Sequence, residues 1–405
     1  MSNIDKNNAI REAIRATRIK RKSQTCKTFK FKIDKSSLSK SQSEVLKMFF
    51  IETKRIYNYL LNEINNGKDL FTYNYKDLKH IKYYDKDKNT IDYNISYIGS
   101  SVISDIITLM KDSIKGLSAS KKNGNKVGAL KFKSECNRVR LRQYGITHSI
   151  RGNRIKIQGI KTPIRVNGIK QLYKYDNIEY TTADILYDGY DYFISLTCYI
   201  DKEYKVINNN IIGIDFGCST TITTSDGEKI NISIEESDRL KGLQRKLSNQ
   251  VKRSNNWYKT RSKIRKEYNR MNNKKNDISN KIIHKLISNY GIIVIQNDQI
   301  SEWKDDIKSK TIQHSILGRL KSKLSVHDQV VILDQWFPTT KYCFNCDSIN
   351  DISLADRIYK CPNCGYQADR DVHAAKNMID FYMKYKSVGT PDSKPIKKVS
   401  YIRNF

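Results

Sequence analysis

Two pairs of cysteines near the carboxyl end constrain this chain more than any other feature. Cys343 and Cys346 form one Cys-x2-Cys pair, Cys361 and Cys364 form another, and 14 residues separate them. This spacing lets both thiolates of a pair reach one cation from a single tight turn. Two such turns complete a tetrahedral four-thiolate zinc site. In "CPNCGY", Pro362 and Gly365 suit a turn of that kind. Four thiolates leave no open coordination position, so the zinc is structural: it clips a loop-rich segment too small to make its own core. A redox role would need a thioredoxin-like context, which the sequence lacks. Cys26, Cys136, Cys198 and Cys218 are scattered singly, a pattern that fits a reducing compartment better than a disulfide framework.

The chain has 405 residues, room for two or three domains. Its 74 basic residues against 42 acidic ones leave 74 − 42 = +32. A surplus of this size seeks polyanions. Nucleic acid is the first choice, an anionic membrane the rarer one, and a merely solvated basic surface the plain one. No apolar run reaches the roughly 18 residues of a transmembrane helix. The opening "MSNIDKNNAIREAIRATRIKRK" has no apolar signal-peptide core. The expectation is a cytoplasmic protein with no membrane partner.

Along the chain, residues 1–26 read as a flexible basic arm or a frayed helix. "KTFKFKID" (27–34) alternates like a strand. Helical spacing follows in "SEVLKMFFIETKRIYNYLLNEINNG", with Ser43 as N-cap and Gly67 as stop, and again at 100–117. The basic loop 118–134 reads equally as a solvated linker or a phosphate contact. From 138 to 205 the period changes to two, with Gly, Asn and Asp turns between short β-rich runs. These strands suggest a barrel or sandwich that the strand at 27–34 completes, with a helical insertion at about 40–125. Tyrosines of this half divide between core packing and base stacking.

A second domain is expected over 206–385, where strands alternate with helices in the α/β manner. "NNIIGIDFGCSTTITTSDGEKI" reads as strand, turn and hairpin. Residues 238–285 read as two basic helices, and Arg245, Lys246, Lys252, Arg253, Arg261 and Arg265 are the candidate phosphate contacts. Buried strands are expected at 291–296 and 329–337, a helix at 308–324, the zinc segment at 338–368, and a final helix from "DRDVHAAKN". Residues 386–405 read as a flexible tail. His284 and His314 read as structural or solvent-facing.

Asp215 ends an apolar strand, and Asp371 opens the last helix. Alone, the first could be a turn residue and the second a helix N-cap. If the strands pair, both face one edge of the sheet. Phosphodiester hydrolysis by two divalent cations roughly 4 Å apart requires such a cluster of anionic oxygens.

"GIDFGCSTTITTSDG", "IIVIQNDQIS" and "CFNC…CPNCGYQADRDVHAAKNM" occur in an order that resembles the TnpB family, insertion-sequence-encoded, RNA-guided DNA nucleases related to type V CRISPR effectors. The resemblance is close over 206–385 and looser over 27–205. It implies an RNase H-like, RuvC-type α/β nuclease domain with an inserted zinc ribbon. It also implies an N-terminal β-barrel wedge carrying a helical recognition lobe. The implied cofactors are one structural Zn2+, two catalytic Mg2+ or Mn2+, and a guide RNA. The implied partners are that guide RNA and target double-stranded DNA with a short flanking motif, in a prokaryotic, nucleoid-associated setting. The family's first and last catalytic acids map to Asp215 and Asp371, and His373 stands where Asn is usual.

The family's middle Glu maps to Gln296, a neutral residue and at best a weak metal ligand through its carbonyl. Side chains at i and i+2 of a strand share a face about 7 Å apart. Asp298 is therefore the candidate for the relocated acid, and Glu302 the competing one. Branches of the family with Gln at this position resemble this chain in "IQHS" (312–315) and "PTTKYC" (338–343). The alternatives are a nuclease-dead, RNA-guided DNA-binding repressor and a DNA-joining transposase.

Overall fold

The structure, a computed structural model, describes residues 3–84, 89–202, 208–218, 220–300, 314–353, 356–387 and 398–399. The chain divides into two compact units, Met1–Tyr204 and Lys205–Phe405. No helix among the described residues is long and apolar enough to cross a membrane.

The first unit contains α1 (Asn3–Lys22), β1 (Gln24–Ile33), α2 (Lys40–Asn65), β2 (His80–Tyr84), β3 (Thr90–Asn94) and α3 (Ser100–Lys122). Six further strands follow: β4 (Arg138–Leu141), β5 (His148–Arg151), β6 (Arg154–Ile157), β7 (Ile164–Asn167), β8 (Glu179–Tyr187) and β9 (Tyr192–Asp201). Residues 3–22, expected as a flexible arm or frayed helix, are helical. Alternation in "QTCKTFKFKI" turns Phe31 and Ile33 inward. β1 pairs antiparallel with β9, from Gln24 opposite Asp201 to Lys32 opposite Phe193, and its far end pairs with β7. The result is a seven-stranded, nearly closed barrel-like sheet in the order β4-β8-β9-β1-β7-β6-β5. The early strand completes the sheet made by the later ones, as its period suggested.

The helices α2 and α3 share the barrel's core. The N-cap of α2 is Ser39, not Ser43. Its hydroxyl accepts from Gln42 N at 3.1 Å and Gln42 Oε1 accepts from Ser39 N at 2.9 Å, a reciprocal capping box. Gly67, just past the helix end, takes φ +83. Fully buried Glu52 of α2 accepts from the backbone N–H groups of Ser96, Tyr97 and Ile98, each at 3.0 Å, and from Tyr93 Oη at 3.1 Å. It thereby pins the segment leading into α3, whose own N-cap, Gly99, has no side chain to offer.

The second unit opens with β10 (Ile211–Asp215), β11 (Ile222–Thr224), β12 (Lys229–Ile230), α4 (Asp238–Ser248), α5 (Asn255–Asn289) and β13 (Ile292–Gln296). It continues with α6 (Leu317–Leu324), β14 (Val330–Leu333), β15 (Ile358–Lys360), β16 (Gln367–Asp369), α7 (Arg370–Ser387) and β17 (Lys398–Val399). The main sheet runs β12-β11-β10-β13-β14-β17, with β10, β13, β14 and β17 parallel and β11 and β12 antiparallel. Parallel strands buried on both faces must be apolar throughout, which explains "IIGI", "IIVI" and "VVIL". On one face, Ile212, Ile214, Ile293 and Ile295 pack against α5 and α6; on the other, Val294, Val331 and Leu333 pack against α7. The α/β unit and the barrel-like sheet are the two architectures expected from the sequence.

Gly213 sits between those layers. A Cβ built there would lie 1.9 Å from the carbonyl oxygen of Ala375 in α7, so helix and strand backbones touch where any side chain would part them. Gly213→Ala is expected to destabilise the second unit by about 3 kcal/mol, the upper end of overpacking costs. Gly242 of α4 has nothing within 4 Å of such a Cβ. Gly242→Ala should therefore stabilise by about 0.5–1 kcal/mol through helix propensity. Urea unfolding midpoints check both signs.

Candidate active site and zinc ribbon

Asp215 is the last residue of β10, and Gln296 is the last of the adjacent parallel strand β13, one step past the Ile214–Ile295 pairing. Open α/β sheets bind their ligands at this carboxyl edge. The close packing at Gly213 brings the start of α7 to the same edge. Asp371 does not cap that helix. Asp369 does: its Oδ1 accepts from Asp371 N at 3.1 Å and from Val372 N at 3.2 Å, while its Oδ2 accepts from Lys229 at 2.6 Å. Asp371 is thus left to face Asp215, and Arg370 Nη2 lies 3.4 Å from its Oδ1.

Asp215 and Asp371 lie at this edge and Asp298 two residues past the end of β13, near enough for their charges to act on one another. Burial, then the carboxylates of Asp371 and Asp298, push the Asp215 carboxyl up to about 8, with Arg370 opposing. Burial also raises Asp298, against Lys321. Acids placed like this suit a divalent cation, whose charge would favour the carboxylate forms of Asp215 and Asp298. The three do not gather as tightly as the cysteines, the one described acid, thiol or imidazole group whose ligand atoms all lie within 4.8 Å of one another. Glu302 lies outside the described residues.

Gln296 does something the sequence reading missed. It is buried, and its Nε2 faces three backbone carbonyls, those of Asp334 at 3.2 Å, Gln335 at 3.1 Å and Phe337 at 2.8 Å. Its Oε1 accepts from Thr339 Oγ1 at 2.8 Å. Three acceptors on one side decide which end of the amide is nitrogen. The side chain is a clamp on the loop after β14. β14 stops at Leu333, where a strand through 337 was expected, and the carbonyls of Asp334, Gln335 and Phe337 turn to the amide instead.

The network continues into the final helix. Asn377 Nδ2 donates to the carbonyls of Thr339, at 2.7 Å, and Tyr342, at 2.6 Å. His373 Nε2 lies 2.7 Å from the Tyr342 carbonyl, and its ring stacks on Tyr359 at 3.7 Å between centroids. Burial holds the His373 pKa below its ordinary value, and since a carbonyl can only accept, Nε2 donates to it and fastens the ribbon to α7.

The ribbon holds two equivalent turns. Cys343 N donates to Ser348 O and Asp347 N to Cys343 O; Cys361 N donates to Tyr366 O and Gly365 N to Cys361 O. Asp347 and Gly365 take left-handed φ of 57° and 72° at matching positions. Cys343 Sγ lies 3.7 Å from Cys364 Sγ, and Cys346 Sγ 3.6 Å from Cys361 Sγ. Tetrahedral zinc with bonds of about 2.3 Å puts sulfurs about 3.8 Å apart, so the cluster can hold one zinc. The Ser348 hydroxyl, bonded to Cys361, holds that thiol down to about 5, toward the thiolate that zinc takes.

Of the expected phosphate contacts, Arg245, Lys246, Lys252 and Arg253 are exposed on α4 and the turn after it; Arg261 and Arg265 of α5 are half-buried, Arg261 over the Trp257 ring. His284 is exposed, and the carbonyl of His314 accepts from Ile234 N. Lys321 escaped the sequence reading. Its Nζ donates to the Asp298 carbonyl at 2.6 Å. The available signal was a lysine four residues after Leu317 and three before Leu324, on the apolar face of its helix.

The second unit thus pairs an α/β sheet carrying acids at its carboxyl edge with a four-cysteine ribbon ahead of its last helix. Residues 193–304 match the family described as "Probable transposase" (OrfB_IS605), and residues 314–378 match the "Cas12f1-like, TNB domain". A "Putative RNA-guided DNA endonuclease" of Streptomyces pristinaespiralis is 30% identical over 198 residues, 46% of this chain and 49% of the relative. InsQ of Escherichia coli K12, a protein of the same description, is 28% identical over 42% of this chain and 48% of its own. A TnpB-like protein of Acanthamoeba polyphaga mimivirus is 31% identical over 30% of this chain and 25% of its own. The chain thus spans about half the length of the two bacterial relatives, and less of the viral one. The fold matches a chain of the "Cas12f1-sgRNA-target DNA complex" with a TM-score of 0.50 and 12% identity, covering 88% of this chain and 99% of that one. The resemblance to TnpB is borne out: two stretches of the chain match the OrfB_IS605 transposase and Cas12f1-like TNB models, and the fold is like that of Cas12f1.

Two outcomes follow from these geometries. Elemental analysis of protein purified without chelators should find one zinc per chain, and Cys361→Ser should lose it and lower the melting temperature. Gln296→Glu should also destabilise, by about 3 kcal/mol in thermal unfolding, because a carboxylate cannot donate to the three carbonyls that meet the amide.

Proposed function

We propose that this protein is an RNA-guided, metal-dependent DNA endonuclease of a transposable element, cutting double-stranded DNA matched to a guide RNA. The observation that carries the reading is the placement of Asp215 at the end of β10 and Asp371 at the start of α7, with Asp298 two residues past the end of the neighbouring strand β13. The segment matched as a transposase contains two of them. The relatives' names and the RNA- and DNA-bound state of the fold neighbour support the partners. The setting is the prokaryotic cytoplasm, at the nucleoid.

In this reading Asp215, Asp371 and Asp298 hold two Mg2+ or Mn2+, and Glu302 is the alternative third acid. The cations would activate water and stabilise the leaving oxygen. Asp215 and Asp371 are brought together by the strand and helix that meet at Gly213, and Arg370 balances part of their charge. The exposed Arg245, Lys246, Lys252 and Arg253, with Arg261 and Arg265, contact phosphates without reading sequence. The clamp made by Gln296 supports a relocated acid over decay into a repressor, since the amide has a task of its own.

Protein purified with its co-expressed RNA should carry a discrete species and cut matching DNA with Mg2+ or Mn2+. Asp215→Ala, Asp371→Ala and Asp298→Ala should each abolish cutting while guided binding persists, and Glu302→Ala should cut normally. Guided binding by the wild type without cutting under either metal would make the protein a repressor. Full cutting by Asp298→Ala would move the third ligand to Glu302.

A further inference from the structure

Asp298 lies beyond the last residue of β13. Asn297 N still donates to Leu333 O at 2.9 Å, extending the ladder by one bond. The Asp298 carbonyl accepts twice, from Ile300 N at 3.2 Å within its own turn and from Lys321 Nζ at 2.6 Å, the bond that ties it to another element. Lys321 projects from α6, which Leu317, Leu320 and Leu324 seat in the core beneath the sheet. The amine is half-buried, and that burial works against its charge while Asp298 favours it. A lysine stem also packs well on apolar surface, but solvation would draw its head outward. Here the head is turned to a backbone carbonyl beside the acids. Gln296, meanwhile, is engaged with the loop at 334–337.

We propose that Lys321 is the positioning residue of the metal site, hooking the Asp298 carbonyl so that the Asp298 carboxylate stands where it can take the place of an acid at 296. This rests on the two-metal reading above. Lys321 touches neither metal nor substrate in this role; it fixes the backbone from which the ligand hangs. Removal of such a support lets the carboxylate swing away, and groups that orient a metal ligand are worth about 10–100-fold in metal affinity.

The test uses full-length protein with its copurified RNA and measures Mn2+ binding by electron paramagnetic resonance, independently of cutting. Lys321→Met should weaken Mn2+ binding by about 10–100-fold and raise the Mn2+ needed for half-maximal cutting in parallel. Guided DNA binding should stay unchanged. Lys321→Arg, which can reach the same carbonyl, should recover most of the loss. If Lys321→Met fails to fold, Lys321→Gln, a neutral donor, is expected to show the same weakening in smaller measure. Wild-type Mn2+ affinity in Lys321→Met, or in Lys321→Gln where that is the folded variant, would overturn the inference. An arginine variant as weak as methionine, with a lowered melting temperature, would do so as well, since packing would then be the role. Mn2+ binding unaffected by Asp215→Ala would instead overturn the two-metal reading and this inference with it.

Discussion

The second unit depends on one close approach, the meeting of the α7 and β10 backbones at Gly213. With the Ala375 carbonyl oxygen only 1.9 Å from where a Cβ would stand, the helix can settle on the strand at this point only because no side chain is there. Everything at the carboxyl edge inherits that contact. It carries Asp371 to Asp215, although 155 residues of chain lie between them. It also presents Asn377 and His373 to the loop that leads into the ribbon.

Around that contact a set of buried amides and carbonyls links strand, loop and helix. Gln296, Thr339, Asn377 and His373 are all buried, and their hydrogen bonds run from the end of β13 through the loop after β14 to the last helix. Buried amide donors avoid the desolvation cost of buried charge while giving buried carbonyls the partners they need. The ribbon is joined to the same helix, with His373 stacked on Tyr359 and bonded to the Tyr342 carbonyl. The zinc turns and the acidic edge therefore share one mechanical support.

Much of this was legible in the sequence. The cysteine spacing announced its two turns because chelation by thiolates two apart is a local property. Period-two alternation marked β1 and β9, and unbroken apolar runs marked β10, β13 and β14, because burial dictates residue type directly. Long-range hydrogen bonding was not legible. Ser39 and Ser43 both suit an N-cap, and only the partner at Gln42 separates them. Asp369 and Asp371 both suit the start of α7, and only the folded chain shows which one caps. The clamp made by Gln296 depends on carbonyls 38 to 41 residues away, so the sequence read the amide as a lost ligand. Lys321 was the readable exception, a cation on an apolar helical face that went unremarked.

The amide at 296 bears on how such chains are compared. Column by column against the TnpB pattern, a glutamine scores as a deletion of function. In the folded molecule the post is occupied, and three carbonyls have arranged themselves around its occupant. A glutamate placed there would face three carbonyls with no hydrogen to give them, so the letter at 296 has meaning only together with the loop it holds.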